Sequence, residues 1–269
     1  MVDEASLTAV NGIIYFTGYE ESTGAELWRS DGTAAGTRIV KDIDSPLPFG
    51  SLPIELTAVS GKLFFSAISA TGDELWVTDG TEAGTMMVKD ILPGPASASP
   101  TFLTDLDGTL LFSALGPTGG EELWRSDGTT AGTVMVKDIA PGDPASRVYY
   151  ITALRKAILF AADDGVHGME LWKSDGTATG TVLLQDIEPG AGSALPAFFA
   201  AAGPRVFFSA RQVSHGRELW EISGFVQNLP AQAVNALSKR FRGRAWNKAA
   251  HAEFAPERSH EQVWERMPQ

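Results

Sequence analysis

The chain has 269 residues, 33 acidic and 21 basic side chains, a formal net charge of −12 at pH 7 and no cysteine. The lack of cysteine excludes disulfides, thiolate catalysis and cysteine-ligated metals. The acidity argues against binding to nucleic acid or to an anionic membrane surface, and no apolar run approaches the roughly 18 residues of a spanning helix.

A short motif recurs along the chain. Gly-Xaa-Glu-Leu-Trp occurs five times, 48 residues apart, with its tryptophans at Trp28, Trp76, Trp124, Trp172 and Trp220. A period of about 20 to 50 residues indicates supersecondary units that bury their apolar faces against one another. Residues present in every unit serve the architecture, so residues specific to a task are expected where the units differ.

Each unit contains four short runs rich in β-branched, aromatic and aliphatic residues. In the third unit these runs cover about 103–108, 109–114, 121–126 and 133–139, separated by Gly, Asp or Pro. They predict four strands joined by hairpins, and no helical period interrupts them. The sequence therefore predicts an all-β fold, a β-propeller of about five four-stranded blades. The blades are expected at about 5–49, 53–97, 101–145, 149–193 and 197–224.

The hairpin between the third and fourth strands repeats most closely. Asp-Gly-Thr stands at Asp31, Asp79, Asp127 and Asp175 in the first four units. A short carboxylate accepts backbone N–H bonds within its own turn, and the following Gly tolerates a positive φ. Four calcium sites are the alternative, but one carboxylate per turn favours a structural role.

Glu-Leu-Trp followed by Asp-Gly-Thr resembles the signature of the bacterial ELWxxDGT-repeat proteins. Four copies match it fully, and the resemblance covers residues 1–224. It implies large secreted or cell-surface chains of β-propeller-like repeats whose role is unassigned. A secreted or cell-surface location is therefore expected, although the first residues, Met1 to Ala5, do not form a signal peptide.

The fifth copy departs from the pattern. Glu221-Ile-Ser-Gly-Phe225 replaces the Asp-Gly-Thr turn, and no fourth strand follows. Blade five is therefore predicted to be incomplete, with an open edge that is a candidate for self-association. Whether the ring closes is left open by the sequence.

Residues 225–269 form a tail of different composition. It carries seven basic and four acidic side chains, and its residues 231–241 have the spacing of a short amphipathic helix. Folding back onto the acidic repeats explains the basic cluster more simply than nucleic-acid binding does. The sharp change at residue 225 also fits a segment that replaced the native continuation of the array.

Functional residues are expected in the loops whose sequence varies between blades. Those between strands two and three, and those between blades, are expected on one face, at the channel mouth. Asp163, Asp164, His167 and His215 lie there and could hold a divalent cation such as calcium or zinc. In a hydrolase these residues would be catalytic, because the metal generates hydroxide at neutral pH. Solvated loop residues are the alternative interpretation.

Other residues at the mouth and along the channel are candidates for ligand binding. In the loops they are Glu20, Glu21 and Arg211, and on the innermost strands they are Thr8, Thr57, Thr104 and Thr152. The threonines could form a ring of hydroxyls, although bonds among themselves and to ordered water explain them equally.

Three functions follow from these observations. The first is a binding or adhesion module for a glycan, protein or small-molecule ligand, since repeated loops suit multivalent recognition. The second is a metal-dependent hydrolase of esters, lactones or phosphoesters, which rests on the His and Asp residues and on fold analogy. The third is a structural segment of a larger surface protein. The chain carries no nucleophile elbow, phosphate loop or dinucleotide fingerprint.

Overall fold

The computed structural model describes residues 7–44, 49–117, 120–142 and 146–223. These residues form 19 β-strands in four four-stranded antiparallel sheets and one three-stranded sheet. No helix occurs among them, and so none of the described segments is a helix suited to crossing a membrane. The predicted helix at 231–241 lies outside the described residues, as does the rest of the tail.

Each sheet corresponds to one repeat, and its strands lie side by side in chain order. Blade one contains β1 (Thr8–Val10), β2 (Ile13–Glu20), β3 (Gly24–Ser30) and β4 (Arg38–Lys41). Blade two contains β5 (Ile54–Val59), β6 (Lys62–Ser69), β7 (Gly72–Thr78) and β8 (Met86–Lys89). Blade three contains β9 (Thr101–Leu106), β10 (Thr109–Leu115), β11 (Glu121–Ser126) and β12 (Val134–Lys137). Blade four contains β13 (Tyr149–Leu154), β14 (Ala157–Asp163), β15 (Met169–Ser174) and β16 (Val182–Gln185). Blade five contains β17 (Ala197–Ala202), β18 (Arg205–Gln212) and β19 (Gly216–Ser223). The predicted strand count, including the incomplete fifth blade, is confirmed.

The register of the central strands explains the recurring aromatic residues. Phe160 on β14 is the direct cross-strand partner of Trp172 on β15, and their ring centroids lie 6.4 Å apart. The same Phe and Trp positions are paired in the other four blades. Cross-strand aromatic pairs stabilise antiparallel sheets, so the tryptophan of the motif has an architectural role.

Neighbouring blades pack face to face. Leu75 and Val77 of blade two share one apolar cluster with Phe112 and Trp124 of blade three. In blades two, three and four both faces of the central strands are covered in this way, which explains their apolar residues at successive positions. The innermost strands also adjoin in sequence, β1 with β5, β5 with β9, β9 with β13 and β13 with β17.

The two end blades each keep one uncovered face. Leu219 of blade five is 52% exposed, whereas its equivalent Leu171 in blade four is fully buried. Ile14 of blade one is 41% exposed, whereas its equivalent Leu63 in blade two is fully buried. Within the described ranges, no contact as extensive as those between successive inner strands joins β17 to β1. The five described blades therefore form an open arc.

The Asp-Gly-Thr turns have the predicted structural geometry. The Oδ1 atom of Asp127 accepts bonds from the backbone N–H of Thr129 at 2.9 Å and from its hydroxyl at 2.7 Å. A Cβ atom on Gly132 would lie 2.0 Å from the same oxygen, so the second glycine of the turn is required. The turns at Asp31, Asp79 and Asp175 make the same two bonds.

Candidate functional site at the mouth of the arc

The variable hairpins and the linkers between blades gather on one face of the arc, called here the mouth face. At blade one, the backbone N–H of Ala25 donates to the carbonyl of Phe49 in the linker, at 3.0 Å. The linker then reaches blade two, where the N–H of Ile68 donates to Ser51 at 2.8 Å. The second bond recurs in the later blades, from Leu115 to Ala98, from Asp163 to Ser146 and from Arg211 to Ala194.

The glutamate of the Glu-Leu-Trp motif anchors the linker that follows it in each of the first four blades. Glu74 is fully buried, and its carboxylate accepts backbone N–H bonds from Ile91 at 2.9 Å and Ala98 at 3.3 Å. Burial raises the pKa of Glu74 to about 7, although these bonds act in the opposite direction. Glu170 makes equivalent bonds, and burial raises its pKa to about 7 as well. These carboxyls hold the scaffold of the mouth face.

Asp164 and His167 form a close pair within the hairpin of blade four. The Nδ1 atom of His167 lies 2.7 Å from Oδ2 of Asp164, whose Oδ1 accepts the backbone N–H of His167 at 2.8 Å. The bond from the carboxylate raises the pKa of His167. Burial acts to raise the pKa of Asp164, but the bonds from His167 and Val166 outweigh it and leave this pKa lowered. Asp163 accepts the N–H of Gly165 and so caps the same turn.

The predicted metal ligands do not converge. His215 bonds through Nδ1 to the hydroxyl of its neighbour Ser214, and no contact with His167 is found among the described residues. In those same ranges, no group of three or more His, Cys, Asp or Glu side chains is arranged to hold a metal ion. The chemistry actually present at these loops is the Asp164–His167 pair and the exposed Ser214–His215 pair.

The inner-strand threonines connect successive blades. The hydroxyl of Thr8 donates to the carbonyl of Leu56 on the next inner strand, at 2.9 Å. The hydroxyls of Thr57 and Thr104 lie 3.2 Å from the carbonyls of Leu103 and Ile151 in the following blade, and 2.9 Å from carbonyls two residues earlier in their own strands. Thr152 donates to Tyr150 of its own strand. Three of the four hydroxyls thus reach the next inner strand, and three of the four also bond within their own strand.

The predicted charged residues of the hairpins lie on the mouth face as expected from the sequence. Glu20 ends β2, Glu21 follows it in the turn, and both are exposed. Arg211 lies near the end of β18 and is also exposed. They belong to blades one and five, the two ends of the arc, so they do not form one cluster within a single blade.

A row of aromatic side chains at the start of the inner strands was not predicted. Phe102, Tyr150 and Phe198 are the second residues of β9, β13 and β17, and are called here the aromatic row. Ring centroids lie 5.9 Å apart from Phe102 to Tyr150 and 5.8 Å apart from Tyr150 to Phe198. Tyr150 is 40% exposed and Phe198 71% exposed. Phe102 is partly buried against the apolar cluster between blades three and four, so the row offers two exposed rings to solvent, in blades four and five.

The backbone under the row has a repeated irregularity. Phe102, Tyr150 and Phe198 have φ values of 55°, 59° and 58°, and Glu55 at the equivalent position of blade two has 59°. The pairing register shifts there in blades two to five, which marks a β-bulge in each of these four blades. Positive φ is costly for bulky residues, and bulges commonly re-aim a side chain at functional sites. The four blades share this backbone conformation but carry different side chains at the position. Such a position is suited to determining which ligand the protein binds.

Polar groups lie beside the row. Glu55 accepts the backbone N–H of Leu103 at 3.1 Å, and burial raises its pKa. Tyr149, whose ring lies 5.9 Å from that of Phe102, has a pKa raised by burial and then by the charge of Glu121. The exposed Arg147 acts in the opposite direction on Tyr149. Hydroxyl, carboxyl and guanidinium groups thus accompany the aromatic rings.

A second concave feature lies at the other end of the strands. It is a cleft of about 210 Å³ between blades three and four, lined by Asp107, Arg125, Lys156 and Asp175 among others. Arg125 crosses it to the carbonyl of Gly176, at 3.4 Å. The cleft is small, and its guanidinium already joins the two blades, so the aromatic row is the stronger candidate site.

Comparison with known proteins reveals the fold alone. No protein-family model matches the sequence, and no curated protein sequence matches it either. Among solved structures, a puromycin hydrolase is similar with a TM-score of 0.52 and 16% identity, over 82% of this chain and 37% of that one. Oligopeptidase B from Leishmania major is similar with a TM-score of 0.50 and 11% identity, over 81% of this chain and 32% of that one.

The chain thus spans about a third of the length of these two structures. At such low identity the likeness extends to the fold and carries no activity across. Together with the five radial antiparallel sheets, it establishes the architecture. In the part of the chain that the structure describes, the protein is an all-β repeat protein of the β-propeller type, with four four-stranded blades and a three-stranded fifth.

Proposed function

We propose that this chain is a non-catalytic binding module of the ELWxxDGT-repeat class that recognises carbohydrate at the mouth face. The observation that carries the proposal is the exposed aromatic row, which stands at the variable position of a repeated β-bulge. Protein interiors bury aromatic rings, so rings left exposed in a contiguous row on a rigid frame suggest a contact surface.

Carbohydrate is the ligand class that fits this surface best. A sugar ring has an apolar face of C–H groups, which stacks on aromatic rings, and a periphery of hydroxyls, which needs hydrogen-bonding groups. The row supplies the first requirement, and Tyr149, Arg147 and Glu55 lie close enough in the fold to supply the second. Ligand sites commonly combine an apolar floor with a few polar groups in this way.

A surface or secreted location accords with this function. The resemblance to the ELWxxDGT repeats supports export. Because the chain has no cysteine, its fold does not depend on whether the surroundings are oxidising or reducing. The acidic composition, with a net charge of −12, favours neutral or cationic ligands over polyanions.

The test is retention on a panel of immobilised polysaccharides and oligosaccharides. We expect the wild-type chain to bind at least one neutral glycan, and Phe198→Ala to reduce retention strongly because it removes the most exposed ring. Met86→Ala is the matched control, since Met86 is 51% exposed on the outer strand of blade two. No retention on any glycan, or equal losses in both variants, would contradict the proposal.

Hydrolysis is the second candidate function, favoured by the Asp164–His167 pair at 2.7 Å. A carboxylate that orients an imidazole is one part of many hydrolytic sites. Turnover of an aryl ester and phosphotriester panel, measured with and without chelator, tests it. Turnover that Asp164→Asn abolishes would support the hydrolase. Absence of turnover would remove the hydrolase and leave ligand binding as the proposed function.

A further inference from the structure

The outer edge of blade five is the unusual feature of this arc. In blade three, β11 pairs with a fourth strand, so that Trp124 lies opposite Met135 and Arg125 opposite Val134. Blade five ends at β19, and no fourth strand pairs with it in the part of the chain that the structure describes. β19 is eight residues long, and its outer edge is a template for another strand.

The residues along this edge have a self-complementary order. Arg217, Leu219 and Glu221 alternate along β19, so their side chains share one face of the sheet. Leu219 is 52% exposed at the centre of this trio, with a cation on one side and an anion on the other.

We propose that two copies of this chain associate by antiparallel pairing of β19 about a two-fold axis at Leu219. In that register Leu219 lies opposite Leu219 of the second copy. Arg217 of each copy lies opposite Glu221 of the other, which gives two ion pairs across the junction. A register shifted by one or two residues loses both pairs, so charge specifies the alignment.

The contacts within blade five hold these groups in position. Arg217 donates to the carbonyl of Leu195 at 3.2 Å and to the hydroxyl of Ser209 at 2.9 Å. Glu221 lies 3.4 Å from Arg205, and its side chain is 11% exposed. A guanidinium has five N–H donors and a carboxylate has about four acceptor sites, so these contacts do not use all the bonding capacity of Arg217 or Glu221. The Glu221 carboxylate has to turn toward the strand edge to meet Arg217 of the second copy. Two-fold dimers are the commonest oligomers, and antiparallel strands pair naturally about such an axis.

The pairing also suits the place of β19 in the fold. The strand is the outermost of its sheet, on the rim of the arc, where a second copy meets the fewest neighbouring blades. The product is one six-stranded sheet with β19 of each copy at its centre, and pairing removes both open edges at once.

Sedimentation equilibrium of the full chain over a range of concentrations tests this inference. We expect the wild type to form a dimer. Arg217→Glu and Glu221→Arg each place like charges opposite one another, so each is expected to weaken the dimer at least about tenfold. Mixed in equal amounts, the two variants supply each other with opposite charges, and a heterodimer of near wild-type affinity is expected.

Arg38→Glu, the same charge change on an exposed position of β4, is the matched control and is expected to leave the dimer unchanged. Circular dichroism and thermal unfolding check that each variant is folded. A monomeric wild type at every concentration would overturn the inference. A dimer that neither charge change weakens, or variants that stay monomeric when mixed, would overturn it too.

Discussion

The Nζ atom of Lys89 lies 2.8 Å from the carbonyl oxygen of Thr133, which bonds the fourth strand of blade two to the turn of blade three. Lys41 and Lys137 make the same bond to the following blade, at 2.9 Å and 2.8 Å. The ammonium groups of Lys89 and Lys137 also lie over the tryptophan rings of those blades, at 5.8 Å and 5.7 Å. In the first three repeats this lysine therefore joins one blade to the next, whereas Gln185 at the same position of repeat four donates to Asp186 instead.

Replacing one of these lysines is expected to loosen the arc. Lys137→Met should lower the free energy of unfolding by about 1–2 kcal/mol, because it removes a charged hydrogen bond and a cation–π contact that are both partly exposed. Urea unfolding measures the change. Lys156→Met, in an exposed hairpin, is the control and should change stability by less than about 0.5 kcal/mol. Equal losses at both positions would show that the tie contributes nothing.

The uncovered face of blade five predicts a contrast between two equivalent leucines. Leu171→Ala creates a cavity at a fully buried position and should cost about 2–5 kcal/mol. Leu219→Ala, at 52% exposure, should cost less than about 1 kcal/mol when measured at a concentration where the chain is monomeric. Chemical denaturation measures the free energy of unfolding of both variants. A large loss at Leu219 would mean that its face is covered, against the open-arc description.

The buried glutamates predict a dependence of stability on pH. The pKa of Glu74 and of Glu170 is raised to about 7 in the folded chain, above the ordinary value of 4.5. The folded state therefore binds these protons more tightly, so the stabilisation is present below pH 4.5 and is lost as pH rises through 7. Unfolding free energy should fall between pH 5 and pH 8, by on the order of 1–3 kcal/mol for each group.

Glu74→Gln should reduce that fall, because the side chain no longer titrates. Glu82→Gln, in an exposed turn of the same blade, is the matched control and should leave the pH profile unchanged. Denaturant midpoints at several pH values give the pH dependence of stability for both variants. Stability that rises from pH 5 to pH 8, or two variants with identical profiles, would refute the account of these carboxyls.

The pair in blade four predicts a shifted imidazole titration. The bond from Asp164 raises the pKa of His167 above its ordinary value of 6.5. Asp164→Asn should bring this pKa back down, as followed by NMR of the imidazole protons. Asp163→Asn is the control, because Asp163 bonds to Gly165 and not to the ring. An unchanged titration in Asp164→Asn would show that the pair is not formed in solution.

The architecture was predictable because its determinants are periodic. The paired Phe and Trp positions, the Asp-Gly-Thr turns and the missing fourth strand of blade five can all be recognised in the sequence. The role of Gly72 could not be recognised in this way. A Cβ atom at Gly72 would lie 2.5 Å from the carbonyl oxygen of Ala96, so the glycine of the motif is needed for the linker to pack against the strand. That reason appears only in three dimensions.

The candidate site was less predictable, because it depends on a local register shift. Phe102 and Tyr150 are expected in a strand core from composition alone, and only the bulge with positive φ sets them apart. Alignment of the repeats offers one signal, since this position is Glu55 in blade two and an aromatic residue in blades three to five. His167 and His215 occupy equivalent loop positions on adjacent blades, but each bonds to a residue of its own hairpin, Asp164 and Ser214 respectively. Equivalent positions in sequence therefore do not by themselves predict a shared site.

Calorimetric titration of the glycan selected by the panel into the wild-type chain and into Tyr150→Ala tests the central claim most directly. Tyr150 is the middle ring of the row, in contact with Phe102 on one side and Phe198 on the other. The account predicts a dissociation constant at least about tenfold larger for the variant, because the loss of one aromatic stacking partner costs about 1–3 kcal/mol where nucleic-acid bases stack on such rings. Equal affinity in the two proteins would contradict it and move the binding site away from the aromatic row.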